Sequence, residues 1–575
     1  MSTQISNEKN LRIKNLIFKN GEKTEKENFS VDCKNVVILV GPNNSGKSTT
    51  LRELQRFCLN DGNLKLKVLS KINFELPDSD EKIKKLYEEF QTKDLPRNIE
   101  LIGNEIGLAF PDILGKGEQA EYSKLDPDGF LAQVQAGNVE YLRTKVPFLK
   151  NYSIILDGRT RFTLLNNKPR GDLTLAPANP LSKLYVDGDL IKKLDEIIFK
   201  EFNLHVYIDP TPSSGLLKIV LNQHDFGDRR SLDEKAINFF KSCSEITTFG
   251  DGLQVYVGLL IAVMSLQHKI ILLDEPEAFL HPPKARSLGS QMTTFANERE
   301  GSLIVSTHSP EFLLGCLDKS TEVTIIRLTY DQSKGTTRHL LPGDVKSLTT
   351  DPLLRSSETV GALFHSSAIV TEAHRDRVFY HEINRRMSIE SKGIDDVQFL
   401  NTQGKHTIHR IFSPLRKAGI PTVALYDLDI IKKENLPNEE TTLWKKIMEY
   451  ANVPADEINS LDEKRQILQD SLQPKTSDSL NPFKKKGISL LEGDEKVQAE
   501  DFLKEVQKYG IFIVPTGDLE SWTEDLVGES FEKTIWLVNM LEKLEELDPK
   551  PKNQGIWEFV SKIKEWIENS DRLGM

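Results

Sequence analysis

A five-residue apolar run that leads into a glycine-framed loop constrains the fold of this chain more than any other feature. Residues 36–40, Val-Val-Ile-Leu-Val, have the β-branched composition of a strand buried in a parallel sheet. Residues 41–48 then read Gly-Pro-Asn-Asn-Ser-Gly-Lys-Ser, which fits the pattern G-x-x-x-x-G-K-[ST], and the residues from Thr49 to Leu54 predict a helix. Strand, loop and helix together predict an α/β domain with a phosphate-binding loop.

This loop predicts a site for the phosphates of a nucleotide and for Mg²⁺, although alone it does not separate a switch, a kinase and a motor. The backbone N–H groups of such a loop and the N-terminus of the helix that follows both favour bound phosphate. Lys47 is expected to reach the β- and γ-phosphates, and Ser48 is expected to ligate Mg²⁺. The predicted nucleotide-binding residues of the loop are Gly41, Asn44, Ser45, Gly46, Lys47, Ser48 and Thr49.

Two later apolar strands supply residues that ATP hydrolysis requires. The strand in residues 269–282, KIILLDEPEAFLHP, ends in Asp274 and Glu275. Asp274 is expected to hold Mg²⁺ through water, and Glu275 to polarise the attacking water. The strand in residues 301–313 delivers His308 to the position of a γ-phosphate sensor, with an ordinary core histidine as the alternative.

A helix predicted within residues 249–260 opens with two glycines that flank Asp251. The N-terminus of such a helix can cap the γ-phosphate of another subunit, so Gly252 is a candidate nucleotide contact. Together these motifs resemble the ATP-binding-cassette ATPases, in the branch of recombination and chromosome-structure proteins. Asp251 stands where that family has a serine. The resemblance implies a homodimer, because cassette ATPases complete each site with a second subunit.

After about residue 345 a second α/β pattern begins, and its strands end in acids. The alternation of strands and helices indicates βαβ units and another parallel sheet, whose site lies beyond the carboxyl ends of its strands. Glu372 and Asp427 both fall there; Asp376 follows one helical turn after Glu372, and Asp429 follows just after Asp427. Each acid alone could be a solvated strand end. Their joint placement, together with a later acid at Glu520, favours a metal site.

Glu372 and Asp376, followed by Asp427-x-Asp429, resemble a Toprim domain, the metal-binding fold of topoisomerases, bacterial primases and certain nucleases. A cassette ATPase followed by a Toprim domain resembles the OLD (overcoming lysogenization defect) family of ATP-dependent endonucleases. The nuclease subunit of the Gabija phage-defence system belongs to this family. The resemblance covers nearly the whole chain, in the same order.

The resemblance implies a set of metal-binding and catalytic residues. Glu372, Asp427 and Asp429 would hold one ion, while Asp376 and a later acid would hold a second. Glu520 is favoured over Asp518 for that later acid, and Lys533 matches the lysine that assists near the C-terminal end. All-oxygen ligands favour Mg²⁺, with Mn²⁺ possible at the nuclease site. One departure is Ala373, where Toprim domains usually have glycine.

We therefore expect an α/β protein with an ABC-type P-loop ATPase head, helical insertions, and a Toprim parallel-sheet domain with its own helical insertion. Much of the first insertion is predicted to form polar helices and loops, and the second is a candidate lobe or dimerisation element. The predicted boundaries are residues 1–345 for the ATPase domain with insertions at about 63–145 and 180–245, residues 346–366 for a linker, and residues 367–575 for the Toprim domain with an insertion at about 432–505.

The predicted function is that of an ATP-dependent and metal-dependent DNA endonuclease in anti-phage defence, acting as a homodimer or higher homo-oligomer, with an accessory defence protein as a possible partner. The alternative is an ATP-driven sensor or scaffold whose Toprim domain binds nucleic acid or a partner without cutting. A net charge of −11 argues against a protein that coats nucleic acid everywhere. Basic residues at 484–486 and in the first Toprim helix remain candidate DNA contacts. The scattered cysteines and the lack of a long apolar run predict a cytoplasmic protein with no membrane partner.

Overall fold

The computed structural model describes the chain from residue 9 onwards with internal gaps. The residues outside the description are 1–8, 22–27, 89, 94, 97–98, 111–120, 174–176, 178, 230, 266–267, 320–321, 332–333, 342, 345–349, 353, 355, 435–441, 474–480, 482, 523–532 and 547–554. Two compact units make up the chain, one of residues 1–40 and 44–349, and one of residues 350–575 with 41–43. Among the described helices, none is long and apolar enough to cross a membrane.

The first unit is built on a six-stranded sheet. Its strands follow the order Lys334–Leu340, Val323–Asp331, Val36–Val40, Ser302–Ser306, Ile270–Asp274 and Ser153–Leu156. All neighbours are parallel except the first pair, which is antiparallel. The strands Val36–Val40 and Ser302–Ser306 are buried at every residue, which explains their unbroken apolar sequences. Because the central strands are parallel, their carboxyl ends meet at one edge of the sheet.

Smaller antiparallel sheets accompany this main sheet. Arg12–Phe18 pairs with Phe29–Asp32 and Leu69–Glu75, and Ile106–Phe110 pairs with Gln91–Thr92 and Glu121–Leu125. His205–Asp209 and Ser244–Glu245 pair with Leu216–Asn222, which also pairs with Lys168–Pro169. The first insertion, much of which was predicted as polar helices and loops, contains helices and also strands such as Glu121–Leu125, whose sequence shows no apolar period.

Helices cover the sheets of the first unit. The α-helices are Lys47–Cys58, Asp80–Glu88, Pro127–Gln135, Val139–Thr144, Phe148–Tyr152, Pro180–Val186, Gly188–Phe202, Glu234–Ser242, Asp251–Ser265, Pro282–Glu298 and Pro310–Lys319, and the 3₁₀ helices are Thr160–Leu165 and Ile246–Thr248. The helix Lys47–Cys58 buries Leu51, Leu54 and Cys58 against the core beneath it, which fixes its first turn at the sheet edge.

The second unit is built on a four-stranded parallel sheet in the order Val397–Asn401, Ser367–Thr371, Thr422–Tyr426 and Ile511–Ile513. Its α-helices are Ser357–Gly361, His374–Ile389, Lys405–Lys417, Leu443–Tyr450, Ala455–Leu472, Gly493–Gln507, Lys533–Glu546 and Ile556–Glu568, and its 3₁₀ helices are Ala362–Phe364, Leu428–Ile431, Gly487–Leu490 and Glu520–Trp522. The C-terminal helix buries Trp557, Ile563 and Trp566 in the core of this unit, so it serves packing.

Candidate nucleotide and metal sites

The phosphate loop has the backbone conformation that its sequence predicts. Gly41, Asn44 and Gly46 adopt positive φ values of 137°, 60° and 98°, a region that glycine and asparagine tolerate best. A side chain at position 46 would also approach Val68 Cγ2 to 3.1 Å. The helix begins directly at Lys47, so the loop and the helix N-terminus form one continuous anion-binding element.

Lys47 is buried beneath this loop, with only 4% of the residue exposed. Its Nζ donates a hydrogen bond to Ser45 Oγ at 3.3 Å. Burial lowers the pKa of Lys47 to about 8, although Glu275 and Asp274 oppose that shift. A bound phosphate would favour the protonated amine further, as expected of a lysine that contacts the β- and γ-phosphates.

Ser48 and Asp274, the two predicted Mg²⁺ residues, are in direct contact. Ser48 Oγ donates to Asp274 Oδ1 at 2.9 Å, and Ser306 Oγ donates to the same oxygen. Asp274 ends one parallel strand and Ser306 ends its neighbour, so the topology brings them together. Hydroxyl and carboxylate oxygens are the hard ligands that Mg²⁺ prefers, and these residues therefore fit the ion.

Glu275 and His308 face each other at the same edge. The distance between His308 Nε2 and Glu275 Oε1 is 3.4 Å. Burial and the charge of Lys47 lower the pKa of His308, which favours a neutral imidazole. Glu275 is 48% exposed at its side chain, and its φ of 51° is unusual for a residue with a Cβ. A partly exposed carboxylate beside the phosphate loop suits the predicted role of Glu275.

Two residues that sequence reasoning missed hold this arrangement in place. Glu277 Oε1 accepts hydrogen bonds from Thr307 Oγ1 and from the backbone N–H of His308, both at 2.8 Å. The buried Arg161 donates to the backbone oxygens of Glu275 at 2.9 Å and Asp274 at 3.1 Å. The second acid of Glu-Pro-Glu could have suggested Glu277. No sequence pattern points to Arg161, which lies outside every motif.

Gly252 lies in the first turn of the helix Asp251–Ser265 and packs against the backbone at Phe279. A Cβ at this position would come within 2.8 Å of the backbone oxygen of Phe279. Close packing on the loop that follows Glu275 therefore explains this glycine without a nucleotide. Its predicted contact with the γ-phosphate of another subunit stays a prediction.

The acids of the second unit converge as the strand order predicts. Glu372 follows the strand Ser367–Thr371, and Asp427 follows its parallel neighbour Thr422–Tyr426. The backbone N–H of Asp427 donates to Glu372 Oε1 at 3.2 Å, which brings the two strand ends together. Asp429 lies in the 3₁₀ helix Leu428–Ile431, so it does not continue the alternation of the strand.

Burial makes the Glu372 and Asp427 carboxylates costly to ionise. The pKa of Glu372 rises to about 7, mainly through burial, with Asp429 and Asp376 adding to the rise. The pKa of Asp427 rises to about 9, again mainly through burial, with added repulsion from Glu372 and Asp376. The negative charges of these acids repel one another, and a divalent cation bound between them would reduce that repulsion.

The donor set fits a hard divalent ion, although the geometry is open. Among the described residues, no three acidic, histidine or cysteine side chains lie close enough to form a closed metal site. The raised pKa values of Glu372 and Asp427 nevertheless identify buried acids whose ionised forms need a nearby positive charge. Mg²⁺ and Mn²⁺ are the ions that carboxylate oxygens select.

Lys405, which the sequence analysis did not single out, reaches Asp429. Its Nζ lies 3.3 Å from Asp429 Oδ1 and 2.6 Å from Glu434 Oε1. Burial lowers the pKa of Lys405, but Glu434 and Asp429 outweigh it, so the net direction is upward. The sequence could have suggested Lys405, because it follows a glycine shortly after the strand Val397–Asn401 and begins the helix Lys405–Lys417. This position lies at the carboxyl edge of the sheet.

The other residues considered for the second metal ion and for catalysis are Asp376, Glu520, Asp518 and Lys533, and the structure places them differently. Asp376 and Glu520 lie on either side of Arg375, whose Nε is 3.5 Å from Asp376 Oδ1 and whose Nη1 is 3.3 Å from Glu520 Oε1. Asp518 accepts hydrogen bonds from the backbone N–H and the hydroxyl of Ser521, so it stabilises a turn. Lys533 begins the helix Lys533–Glu546, and its side chain lies outside the described residues.

The basic face predicted for the first Toprim helix is largely neutralised within the chain. Arg377 lies 3.4 Å from Glu358, and both Arg385 and Arg386 form ion pairs with Glu382. Side chains that already hold a carboxylate are weaker candidates for contacts with DNA phosphates. Lys484 and Lys486, by contrast, are exposed.

The two sites define the class: a P-loop ATPase unit followed by a Toprim unit. Residues 36–314 match the family described as "AAA domain, putative AbiEii toxin, Type IV TA system". Residues 363–429 match the family described as "Overcoming lysogenization defect protein-like, TOPRIM domain". The chain thus has the ATPase–Toprim architecture of the OLD family, which confirms the predicted resemblance and the predicted fold class.

Individual relatives are distant. The chain is 20% identical over 376 residues to the Old nuclease of Escherichia phage P2, a match that covers 61% of this chain and 59% of the relative. It is 24% identical over 215 residues to the OLD nuclease of Thermus scotoductus, covering 34% of this chain and 39% of the relative. The chain therefore spans less than two thirds of either relative.

Two further proteins are similar to the chain. An ATP/GTP phosphatase of Helicobacter pylori is 24% identical over 328 residues, covering 53% of this chain and 85% of the relative. Among solved structures, an SMC head bound to the C-terminal winged-helix domain of ScpA matches with a TM-score of 0.32 and 12% identity, covering 57% of this chain and 97% of the other.

Proposed function

We propose that the chain is an ATP-binding and ATP-hydrolysing DNA endonuclease that depends on a divalent metal ion. The first unit would bind ATP at the phosphate loop, and the second would hydrolyse phosphodiester bonds at the acids Glu372, Asp427 and Asp429. Lys47 and the loop amides would bind the phosphates of ATP, and Ser48 and Asp274 would hold its Mg²⁺. Glu275 would orient the attacking water, with His308 beside the γ-phosphate.

One observation carries the nuclease assignment: Glu372 and Asp427 are adjacent at the carboxyl edge of a parallel sheet, and both carboxylates are buried. Among the described residues, neither makes an ion pair, while the neighbouring Asp429 has Lys405. A divalent ion held there would neutralise charge on a phosphodiester and activate water. The chain's own contribution would be to hold these acids and exclude bulk water from them.

DNA is the proposed substrate because two curated relatives of the chain are named as Old nucleases and because the chain matches an OLD-like Toprim family. Anti-phage defence is proposed from the resemblance to the OLD family, which includes the nuclease subunit of the Gabija system. Assembly as a homodimer is proposed because cassette ATPases complete each nucleotide site with a second subunit. An accessory defence protein would be consistent with that role. ATP would control access to the nuclease site by favouring one conformation of the chain.

The test is cleavage of supercoiled plasmid DNA by the purified chain with Mg²⁺ or Mn²⁺, with and without ATP. Asp427→Ala should abolish cleavage while ATP turnover persists, and Lys47→Ala should abolish ATP turnover. Asp494→Ala, at an exposed acid in the same unit, is the matched control and should cut normally. Cleavage that survives Asp427→Ala would overturn the assignment of the nuclease site.

A second candidate, an ATP-driven sensor or scaffold that does not cut, is favoured by one observation. Arg375 and Lys405 already compensate acids of the site, as a chain that has lost its metal would require. ATP turnover without cleavage of any DNA or RNA form, in Mg²⁺ and in Mn²⁺, would establish this alternative.

A further inference from the structure

Arg375 lies in the place between Asp376 and Glu520 that the sequence analysis assigned to a metal ion. Its Nη1 is 3.3 Å from Glu520 Oε1, and its Nε is 3.5 Å from Asp376 Oδ1. The arginine side chain is 23% exposed, whereas those of Asp376 and Glu520 are only 11% and 15% exposed. A fixed positive charge of the chain therefore compensates these two acids in a partly buried setting, where charges interact more strongly than at the surface.

The second oxygen of Asp376 is also engaged. Asp376 Oδ2 accepts a hydrogen bond from the backbone N–H of Ala373 at 2.9 Å, which satisfies a free donor at the start of the helix His374–Ile389. With Oδ1 near Arg375 and Oδ2 on the helix N-terminus, both oxygens of Asp376 face donors of their own chain. A metal ion would have to displace one of these contacts.

The other pair of acids is held differently. Glu372 and Asp427 touch each other through the Asp427 N–H, and among the described residues no lysine or arginine forms an ion pair with either. Lys405 forms its ion pair with the neighbouring acid Asp429 instead. Within the described part of the chain, the site thus contains one pair of acids that forms no ion pair and one pair that lies beside Arg375.

We propose that this chain binds one divalent ion in its Toprim unit, at Glu372, Asp427 and Asp429, and that the Arg375 guanidinium takes the place of a second ion between Asp376 and Glu520. This inference rests on the proposed metal-dependent function and changes the predicted role of Asp376 and Glu520 from metal ligands to partners of Arg375. A guanidinium and a divalent ion cannot share one pair of carboxylates without strong repulsion, so the two occupants exclude each other.

The stoichiometry of Mn²⁺ tests the inference directly. The full-length protein is titrated with Mn²⁺ in the absence of nucleotide, and the free ion is measured by electron paramagnetic resonance. Ions whose binding is lost when Asp427→Asn and Glu520→Gln are combined are assigned to the Toprim unit. The wild-type protein should bind one such ion per chain, and Arg375→Gln should bind two.

The two ions of Arg375→Gln should show spin–spin coupling, because paired metal ions lie about 4 Å apart. Adding Glu520→Gln to this variant should return the count to one. Arg375→Lys keeps the positive charge and should bind one. Arg377→Gln is the matched control, since this arginine lies one position beyond Asp376 and pairs with Glu358 outside the acid cluster. It should also bind one.

Two ions in the wild-type Toprim unit would overturn the inference and leave the proposed function standing. A count that stays at one in Arg375→Gln would overturn it as well, since the arginine would then not be the competing group. Binding of no ion that depends on Asp427 would overturn the proposed metal site itself, and with it the inference. The wild-type count decides the matter even where Arg375→Gln does not fold.

Discussion

Arg161 binds the backbone of Glu275, the residue proposed to orient the attacking water. Its Nη1 donates to the Glu275 oxygen at 2.9 Å, and its Nη2 donates to the Asp274 oxygen at 3.1 Å. Glu275 adopts a φ of 51°, which costs a residue with a Cβ about 1–2 kcal/mol. The planar guanidinium holds two consecutive carbonyl groups at once, and so stabilises the turn that presents the glutamate.

The first prediction is that Arg161→Lys lowers ATP hydrolysis while ATP binding is retained. A lysine cannot hold two carbonyl oxygens in fixed directions, so the Glu275 side chain would lose its alignment with the γ-phosphate. We expect the rate at saturating ATP to fall about 10- to 100-fold, the usual consequence of small errors in position. The dissociation constant of a fluorescent ATP analogue should change little, because Arg161 donates its hydrogen bonds to the backbone oxygens of Asp157, Asp274 and Glu275, which lie outside the phosphate loop.

Arg159→Lys is the matched control for this prediction. Arg159 is exposed and lies two residues before Arg161, so its replacement should leave hydrolysis unchanged. Equal turnover by Arg161→Lys and the wild-type protein would show that the Glu275 turn does not need the guanidinium.

The second prediction separates Glu275 from Glu277 by their response to glutamine. Glu275→Gln should abolish hydrolysis and leave ATP bound, because an amide cannot polarise water as a carboxylate does. Glu277→Gln should retain most activity, because its amide oxygen can still accept the hydrogen bonds from Thr307 and His308. Burial raises the pKa of Glu277, so its charge is already disfavoured and the neutral amide resembles it closely.

Glu277→Ala completes the comparison, because it removes the acceptor altogether. Two buried donors would then lack a partner, at a cost of roughly 1–3 kcal/mol for each. Its ATP turnover should fall well below that of Glu277→Gln when single-turnover rates are compared. Equal losses in Glu277→Gln and Glu277→Ala would instead indicate that the negative charge of Glu277 takes part in the chemistry.

The sequence predicted the parts of both sites that follow strand ends. Lys47, Asp274, Glu372 and Asp427 each adjoin an apolar strand, and parallel topology is enough to bring such residues to one edge. Arg161, Arg375 and Lys405 were not predicted as site residues because a long side chain can reach several neighbours, and only the packed structure decides which one. The polar antiparallel strands of the first insertion were missed because their sequences lack a regular apolar alternation, and strand preference depends on the packing of each side chain against its neighbours.

The third prediction concerns the two glycines at the start of the helix Asp251–Ser265. Gly252→Ala would gain about 1 kcal/mol of helix propensity. Its Cβ would come within 2.8 Å of the Phe279 backbone oxygen, and overpacking of this kind costs about 1–3 kcal/mol. The steric cost should exceed the gain in helix propensity, because the contacted atom belongs to the backbone and cannot move aside as a flexible side chain can. Gly252→Ala should therefore unfold at a lower urea concentration than the wild-type protein.

Gly250→Ala supplies the comparison. A Cβ at Gly250 would meet nothing within 4 Å, so this variant should unfold at the wild-type urea concentration. If Gly250→Ala is the more destabilised of the two, the packing of Gly252 on Phe279 does not explain the glycine there.

The fourth prediction is that the affinity of the Toprim unit for Mn²⁺ rises with pH between about 6 and 9. The pKa values of Glu372 and Asp427 are raised to about 7 and about 9, so both acids carry protons at pH 6 in the metal-free protein. A metal ion needs the ionised carboxylates and must displace these protons. For each proton displaced, the apparent dissociation constant should fall by about tenfold per pH unit.

The same shifts fix the sign of the stability change. Since both acids bind protons more tightly when folded, their contribution to the free energy of unfolding of the metal-free protein declines as pH rises from about 4 towards 9. Saturating Mn²⁺ should reverse that decline, because it stabilises the ionised carboxylates. Asp427→Asn should lose much of the pH dependence of binding and of stability, whereas Asp494→Asn should keep both. Isothermal titration calorimetry in buffers of different ionisation enthalpy counts the released protons, and an affinity that is flat from pH 6 to 9 would show that these acids are already ionised.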